Sequence, residues 1–205
     1  MAELTESLTQ LLDERTHKIS RRIGADEGQT RTAVHAAVPA LLAALSTEAE
    51  RGSGLKQAVA EDHDGSIIDQ LSEYLDGSAQ LNPRATDGDG ILEHALGDRR
   101  PEMQQALSAK SGLDLGTIAK LLPLLAPILM GMLGKKGRTG GSGADSGGFG
   151  LDDIGDLLGR EKADARSTNP DIGDILDSIS GKGSASSGGG LGGMLDSLTG
   201  GNRDR

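Results

Sequence analysis

The feature that most limits how this chain can fold is a change of composition near Gly134. Residues 1–138 contain 55 of the 72 apolar residues, and residues 139–205 contain the other 17. Glycine shows the opposite trend, with 14 residues before the boundary and 18 after it. The first segment can therefore form a modest core. The second has too little apolar surface to offset its ordering entropy, so we expect a largely disordered Gly/Ser-rich tail.

Cysteine content and net charge exclude several functional classes. The chain has no cysteine, which excludes a disulfide scaffold, a thiolate zinc site and a cysteine nucleophile. A net charge of −10 argues against general attraction to nucleic acid or to anionic membranes. The N-terminus is acidic and lacks the basic and apolar regions of a signal peptide. Together with the missing cysteines, this favours a cytoplasmic location.

The apolar residues of the first segment recur at helical spacing and predict an all-α domain of about seven helices. The pattern from Leu4 to Ile23 indicates one helix or two short ones. Asp26 and Gln29 predict a capping box at the start of the next helix. Further stripes include residues 67–75 and 91–96. Alternating strand patterns bounded by hairpin turns are absent from the sequence.

Residues 121–133 are apolar on almost every side, which is typical of a buried central helix. These 13 residues fall short of the roughly 20 that span a bilayer. Pro123 and Pro127 weaken a transmembrane interpretation further. The alternative is a helix that binds a membrane surface or a partner through an exposed apolar face.

Several motifs of the first segment, in their order, resemble a known bacterial family. They are PALLAAL at 39–45, GDGILEHALGD at 88–98, SGL at 111–113 and LLPLLAPILMGMLGK at 121–135. Together they resemble the YidB-like family, whose function is unknown, over about residues 4–136. The resemblance implies a multihelical, cytoplasmic domain over 1–136, followed by a tail over 137–205. It supplies no catalytic residue.

The tail contains a repeated motif. Segments 172–179 and 191–198 align without a gap, and an earlier partial copy occupies 154–158, so the copies start 18 and 19 residues apart. Each full copy places four apolar residues at i, i+3, i+4 and i+7, on one face of a two-turn helix. These candidate partner-binding residues are Ile172, Ile175, Leu176, Ile179, Leu191, Met194, Leu195 and Leu198.

Two interpretations of these copies remain open. A two-turn helix is too short to be stable alone, but it can fold on docking into an apolar groove of a partner or of its own chain. Flexible Gly/Ser linkers between copies would raise the apparent affinity. The other interpretation is drift within a low-complexity tail. The Leu-Asp-Ser shared in register by the two full copies favours docking.

Signals for catalysis and metal binding are weak. The four histidines are scattered, and Glu61–Asp64 is expected to be a solvated loop. Asp87 begins a run like a calcium loop, but Ile91 and Leu92 occupy positions that should hold a ligand and glycine, so Asp89 is predicted to be an N-cap. Phosphate-loop and nucleophile-elbow motifs are absent.

The sequence therefore predicts a non-enzymatic protein-interaction or scaffold module without cofactor, catalytic residue or metal ligand. Its tail would present short docking motifs to a protein partner or to a second copy of the chain. The alternatives are a peripheral membrane or envelope-associated protein that uses residues 121–133, and an enzyme of unrecognised type.

Overall fold

The computed structural model describes residues 3–52, 54–139 and 154–168, and these residues form helices and connecting turns. The helices are α1 (Glu3–Asp13), α2 (Thr16–Ile23), α3 (Glu27–Glu50), α4 (Leu55–Asp62), α5 (Ser66–Asp69), α6 (Leu71–Asp76), α7 (Gly88–Leu96), α8 (Arg100–Ser111), α9 (Leu115–Thr139) and α10 (Ile154–Thr168). Two short 3-10 helices, Pro83–Thr86 and Gly97–Arg99, flank α7. The all-α prediction is confirmed for the described residues, with nine helices up to Thr139 instead of about seven.

The additional helices arise because apolar stripes continue across breaks in the backbone. The stripe from Leu4 to Ile23 divides into α1 and α2 at Glu14–Arg15. The stripe over 67–75 divides at Gln70, whose φ of −109° and ψ of 28° interrupt the helix between α5 and α6. Both halves of each stripe face the same core, so the periodicity alone does not reveal the break.

The N-terminus of α3 is capped as predicted, but the capping box is only half formed. Asp26 Oδ1 accepts hydrogen bonds from the backbone N–H of Gly28 at 2.8 Å and of Gln29 at 3.0 Å. The Gln29 side chain instead donates to the carbonyl of Gly112 at 3.1 Å. Gln29 therefore ties α3 to the turn after α8, a tertiary contact that the local pattern does not encode.

The prediction that Asp89 caps α7 is wrong. Asp87 is the N-cap, and its Oδ1 accepts from Gly90 N–H at 2.9 Å. Asp89 lies in the first turn and pairs with Arg100 at 2.6 Å. The pairing joins the start of α7 to the start of α8, and a carboxylate in the first turn also suits the helix dipole.

The core is built around α3 and α9 and consists almost entirely of aliphatic side chains. Within 121–133, only Pro123 and Met132 are half-buried and every other residue is buried. The predicted central helix is therefore confirmed, although it is longer than the apolar run that predicted it. The single aromatic side chain of the described core, Tyr74, packs at its edge and donates a hydrogen bond to the carbonyl of Leu124 at 3.3 Å.

Within the described residues, two helices are long and apolar enough to cross a membrane when length and composition alone are considered, namely α3 and residues 115–138 of α9. Helix α9 has 25 residues, so it extends beyond the 13-residue apolar run and is long enough to span a bilayer. Most residues of both helices are buried inside the domain. Because core helices of soluble proteins meet the same criteria, length and composition are weak grounds for a membrane-spanning role.

The last turns of α9 pack against the α4–α5 region without intervening side chains. A Cβ on Gly131 would meet the side chain of Ile67, and one on Gly134 would overlap the carbonyl oxygen of His63. Lys135 Nζ lies 2.5 Å from Asp69 Oδ1 beside this contact. The two glycines therefore permit a close approach that larger residues would prevent.

Candidate docking site for the C-terminal helix

The helix α10 begins at the first tail copy and lies across α1 and α3. Helix α1 runs antiparallel to α3. Asp13 at its end lies 2.9 Å from His35 in the first half of α3. At the other end, the adjacent residues Glu161 and Lys162 contact Leu4 of α1 and Thr47 of α3. The first turn of α1 consequently sits beside the last turns of α3. Helix α10 packs at this junction, and we call the surface formed by the first turn of α1 and the last turns of α3 the α1–α3 surface.

The anchor spacing of the tail copies places apolar side chains of α10 on the domain. Leu158 is completely buried and Leu157 is half-buried. Asp156 stands in the first turn of the helix, where a negative charge is favourable. Burial of one leucine side chain contributes roughly 2 kcal/mol. Such packing stabilises a short helix that is only marginally stable alone in water.

A buried carboxylate supplies the polar part of the contact. Glu161 is 3% exposed, and its Oε1 accepts from Leu4 N–H at 2.9 Å. Its Oε2 accepts from Thr5 N–H at 3.0 Å and from Thr5 Oγ1 at 2.5 Å. The first N–H groups of a helix have no intrahelical acceptor, and the residue before Glu3 is alanine, which cannot cap them. Glu161 thus caps the N-terminus of α1, although it lies 156 residues after Thr5 in the sequence.

The residue after this carboxylate contacts the other half of the surface. Lys162 Nζ lies 3.2 Å from Thr47 Oγ1 and 3.3 Å from Glu50 Oε1, both in the last turns of α3. Partly exposed ion pairs of this kind contribute little stability. The ion pair instead helps to orient α10, because Glu161 attaches this helix to α1 and Lys162 attaches it to α3.

The connection between the domain and α10 is short in space. Lys136 in the last turn of α9 pairs with Glu3 at 2.9 Å, so α9 ends beside the same first turn of α1 that Glu161 caps. Residues 140–153, which lie outside the described part of the chain, connect the two helices. A segment of that length reaches about 45 Å when extended, ample for docking within one chain.

The eight residues predicted to bind a partner, from Ile172 to Leu198, all lie outside the described residues. Only the partial copy at 154–158 falls within them, and there it belongs to a helix that continues to Thr168. Composition predicts disorder for the whole tail, including residues 154–168. These residues nevertheless form α10, because their tertiary contacts with the domain stabilise the helix.

Sequence reasoning missed Glu161 as a functional residue, although a signal was present. Ile154, Leu157, Leu158 and Glu161 have the same i, i+3, i+4 and i+7 spacing as the two full copies. The first copy is therefore complete, with a carboxylate in place of the fourth apolar residue. A search for apolar residues alone ends the copy at Leu158.

A cavity with a volume of about 340 Å³ lies between α4 and α7, apart from the α1–α3 surface. Its walls are mainly apolar and include Leu55, Ala58, Ile91, Ala95 and Met130. His63 lines it, is 4% exposed, and has no hydrogen-bond partner at Nδ1. Burial lowers the pKa of this imidazole and outweighs the opposing effect of Asp62 and Asp64. The imidazole is thus held neutral at neutral pH.

Two further histidines of the described helices make structural contacts. His35 pairs with Asp13, and His94 Nδ1 lies 2.8 Å from the carbonyl of Gly90 one turn earlier. Among the described residues, three or more His, Asp or Glu side chains do not come together as a group able to hold a metal ion.

The comparison with known families covers most of the helical domain, whereas Leu4, Thr5 and α10 lie outside the matched range. Residues 6–136 match the family described as "Bacterial protein of unknown function (DUF937)". The match agrees with the resemblance to the YidB-like family over about residues 4–136. No curated protein and no solved structure matches the chain. Because the matched range is well over half of its length, the chain belongs to this bacterial family of unknown function.

Proposed function

We propose that this protein is a non-enzymatic, cytoplasmic interaction module, in which a helical domain carries a tail of short docking helices. The main observation behind the proposal is that α10 packs against the α1–α3 surface. There, the first copy of the tail motif packs Leu158 into the domain and caps α1 with Glu161. A motif of this spacing is therefore able to bind a helical surface.

The two full copies carry the same spacing with four apolar residues each. Such a face fits an apolar groove, with the i, i+3, i+4 and i+7 residues as anchors. Two copies on one chain raise the affinity for a partner that offers two grooves, or for an assembly of partners. The groove belongs to another protein or to a second copy of this chain.

The proposal is tested by capturing partners from a bacterial lysate with the full chain and with matched variants. Leu176→Asp together with Leu195→Asp places a charge in the middle of both anchor faces. Ser178→Asp together with Ser197→Asp adds the same charge beside those faces and is the control. We expect proteins that are retained by the wild type and by the control to be lost from the leucine variant. An identical set of captured proteins for all three would contradict the proposal.

A peripheral membrane role is the second candidate, favoured by the length and apolar character of α3 and α9. This role requires both helices to expose apolar faces that are buried in the domain. Among the described residues, the large apolar side chain that is exposed is Leu115, in the first turn of α9. Co-sedimentation with vesicles of phosphatidylcholine and phosphatidylglycerol distinguishes the two roles. The interaction module stays in the supernatant, whereas a membrane protein pellets with the vesicles.

A further inference from the structure

We propose that Glu161 determines which tail copy the α1–α3 surface accepts, so that this surface holds the first copy and rejects the other two. The inference rests on the proposed function, because it concerns the same docking motif. It adds a division of roles. The first copy docks on its own domain, and the copies at 172–179 and 191–198 remain available to a partner that binds an apolar face.

The three copies differ at the fourth anchor position. The aligned copies place Glu161, Ile179 and Leu198 at this position. In the structure the Glu161 carboxylate accepts three hydrogen bonds from Leu4 and Thr5. Isoleucine or leucine at this position has no acceptor to offer.

The cost of an apolar fourth anchor arises on the domain side. The N–H groups of Leu4 and Thr5 belong to the first turn of α1 and have no acceptor within that helix. The bond from Leu4 N–H is buried, so an apolar residue there would remove the acceptor and exclude water as well. The positive end of the α1 dipole also favours a carboxylate over an apolar group.

The next residue reinforces the discrimination. Lys162 contacts Thr47 and Glu50 at the end of α3. The aligned residues of the other copies are Ser180 and Thr199, whose short side chains lack the charge that pairs with Glu50. The contacts made by Glu161 and Lys162 are therefore specific to the first copy, whereas the leucine at the position of the buried Leu158 recurs in the sequence of the other copies as Leu176 and Leu195.

The test moves the carboxylate from one copy to another in the full chain. The readout is hydrogen exchange of the Leu4 and Thr5 amides, measured by NMR, with α9 amides as the internal control for global folding. In Glu161→Ile we expect protection of these two amides to fall at least tenfold, with α9 unchanged. Adding Ile179→Glu and Ser180→Lys to that variant should restore most of the protection, because the second copy then carries both polar anchors.

The matched control adds Ser178→Glu in place of Ile179→Glu, which introduces the same charge away from the anchor face. It should restore nothing. Unchanged protection in Glu161→Ile, or equal rescue by both added glutamates, would overturn the inference and leave the proposed function standing. If α10 amides exchange as fast in the wild type as in a free peptide of residues 152–168, the docking itself fails, and the proposed function loses its support.

The Glu161→Gln variant provides a second route if Glu161→Ile does not fold. Glutamine keeps the shape and one acceptor oxygen but loses the charge and the second acceptor. We expect an intermediate loss of protection, several-fold at Thr5 and smaller at Leu4, which Ile179→Glu with Ser180→Lys reverses. Wild-type protection in Glu161→Gln, or no recovery on adding the two substitutions, would overturn the inference.

Discussion

The carboxylate of Glu161 binds both the backbone N–H and the hydroxyl of Thr5, at 3.0 Å and 2.5 Å, and so joins the first turn of the chain to a helix in its tail. Thr5→Val preserves the shape of the side chain but removes the hydroxyl donor. Hydrogen bonds to charged groups contribute about 1.5–3 kcal/mol, and we expect docking of α10 to weaken by about 1.5 kcal/mol. Amide exchange within α10 measures the change.

Thr5→Ser retains the hydroxyl and is the control for that measurement. It should leave exchange in α10 close to the wild-type rate. If valine and serine variants exchange equally fast, the hydroxyl of Thr5 does not contribute to docking.

The glycines of α10 predict a stabilising substitution. A Cβ added at Gly159 would meet no atom within 4 Å, so space does not require glycine there. Alanine in a helix interior is more favourable than glycine by about 1 kcal/mol. We expect Gly159→Ala to slow amide exchange throughout α10 about fivefold, and Gly155→Ala, whose Cβ is equally unobstructed, to have a similar effect. Faster exchange in either variant would contradict this account of the site.

The same substitution in α9 should have the opposite sign. A Cβ at Gly134 would overlap the carbonyl oxygen of His63, a backbone atom that cannot turn aside. Overpacking of this kind costs about 1–3 kcal/mol, and we expect Gly134→Ala to lower the urea midpoint accordingly. A midpoint equal to or above that of the wild type would show that α9 does not approach the α4–α5 turn this closely.

Much of the domain was predictable from sequence because its helices carry local signals. The apolar run at 121–133 predicts a buried central helix, and Asp26 predicts the start of α3 correctly. The failures occur where tertiary contacts decide. Asp87 caps α7 while Asp89 pairs with Arg100, and Glu161 attaches a helix of the tail to the domain by capping α1. Neither partner is visible to a local pattern.

The buried imidazole of His63 predicts a loss of stability on mild acidification. Burial lowers its pKa in the folded state, whereas the unfolded chain titrates near the ordinary value of about 6.5. As the pH falls below that value, the unfolded state gains a proton that the folded state does not take up, and unfolding becomes more favourable. Urea midpoints at pH 7.5 and 5.5 should therefore differ, with the lower midpoint at pH 5.5.

The His63→Gln variant removes the titrating group and should show a smaller difference between the two midpoints. His94→Gln is the matched control, because His94 lines the same cleft but is exposed. It should retain the wild-type difference. An undiminished difference in His63→Gln would assign the acid sensitivity to other groups.

Tyr74 permits a direct optical test of its burial, since the chain has one tyrosine and no tryptophan. Burial raises the pKa of this phenol to about 12, against about 10 for the unfolded chain. Between these values the unfolded state loses a proton that the folded state keeps, so alkali favours unfolding. Absorbance at about 295 nm, where tyrosinate absorbs, should show no ionisation near pH 10 in the native protein and a midpoint near 10 in concentrated urea. A native midpoint near 10 would place the phenol in solvent and contradict its hydrogen bond to the Leu124 carbonyl.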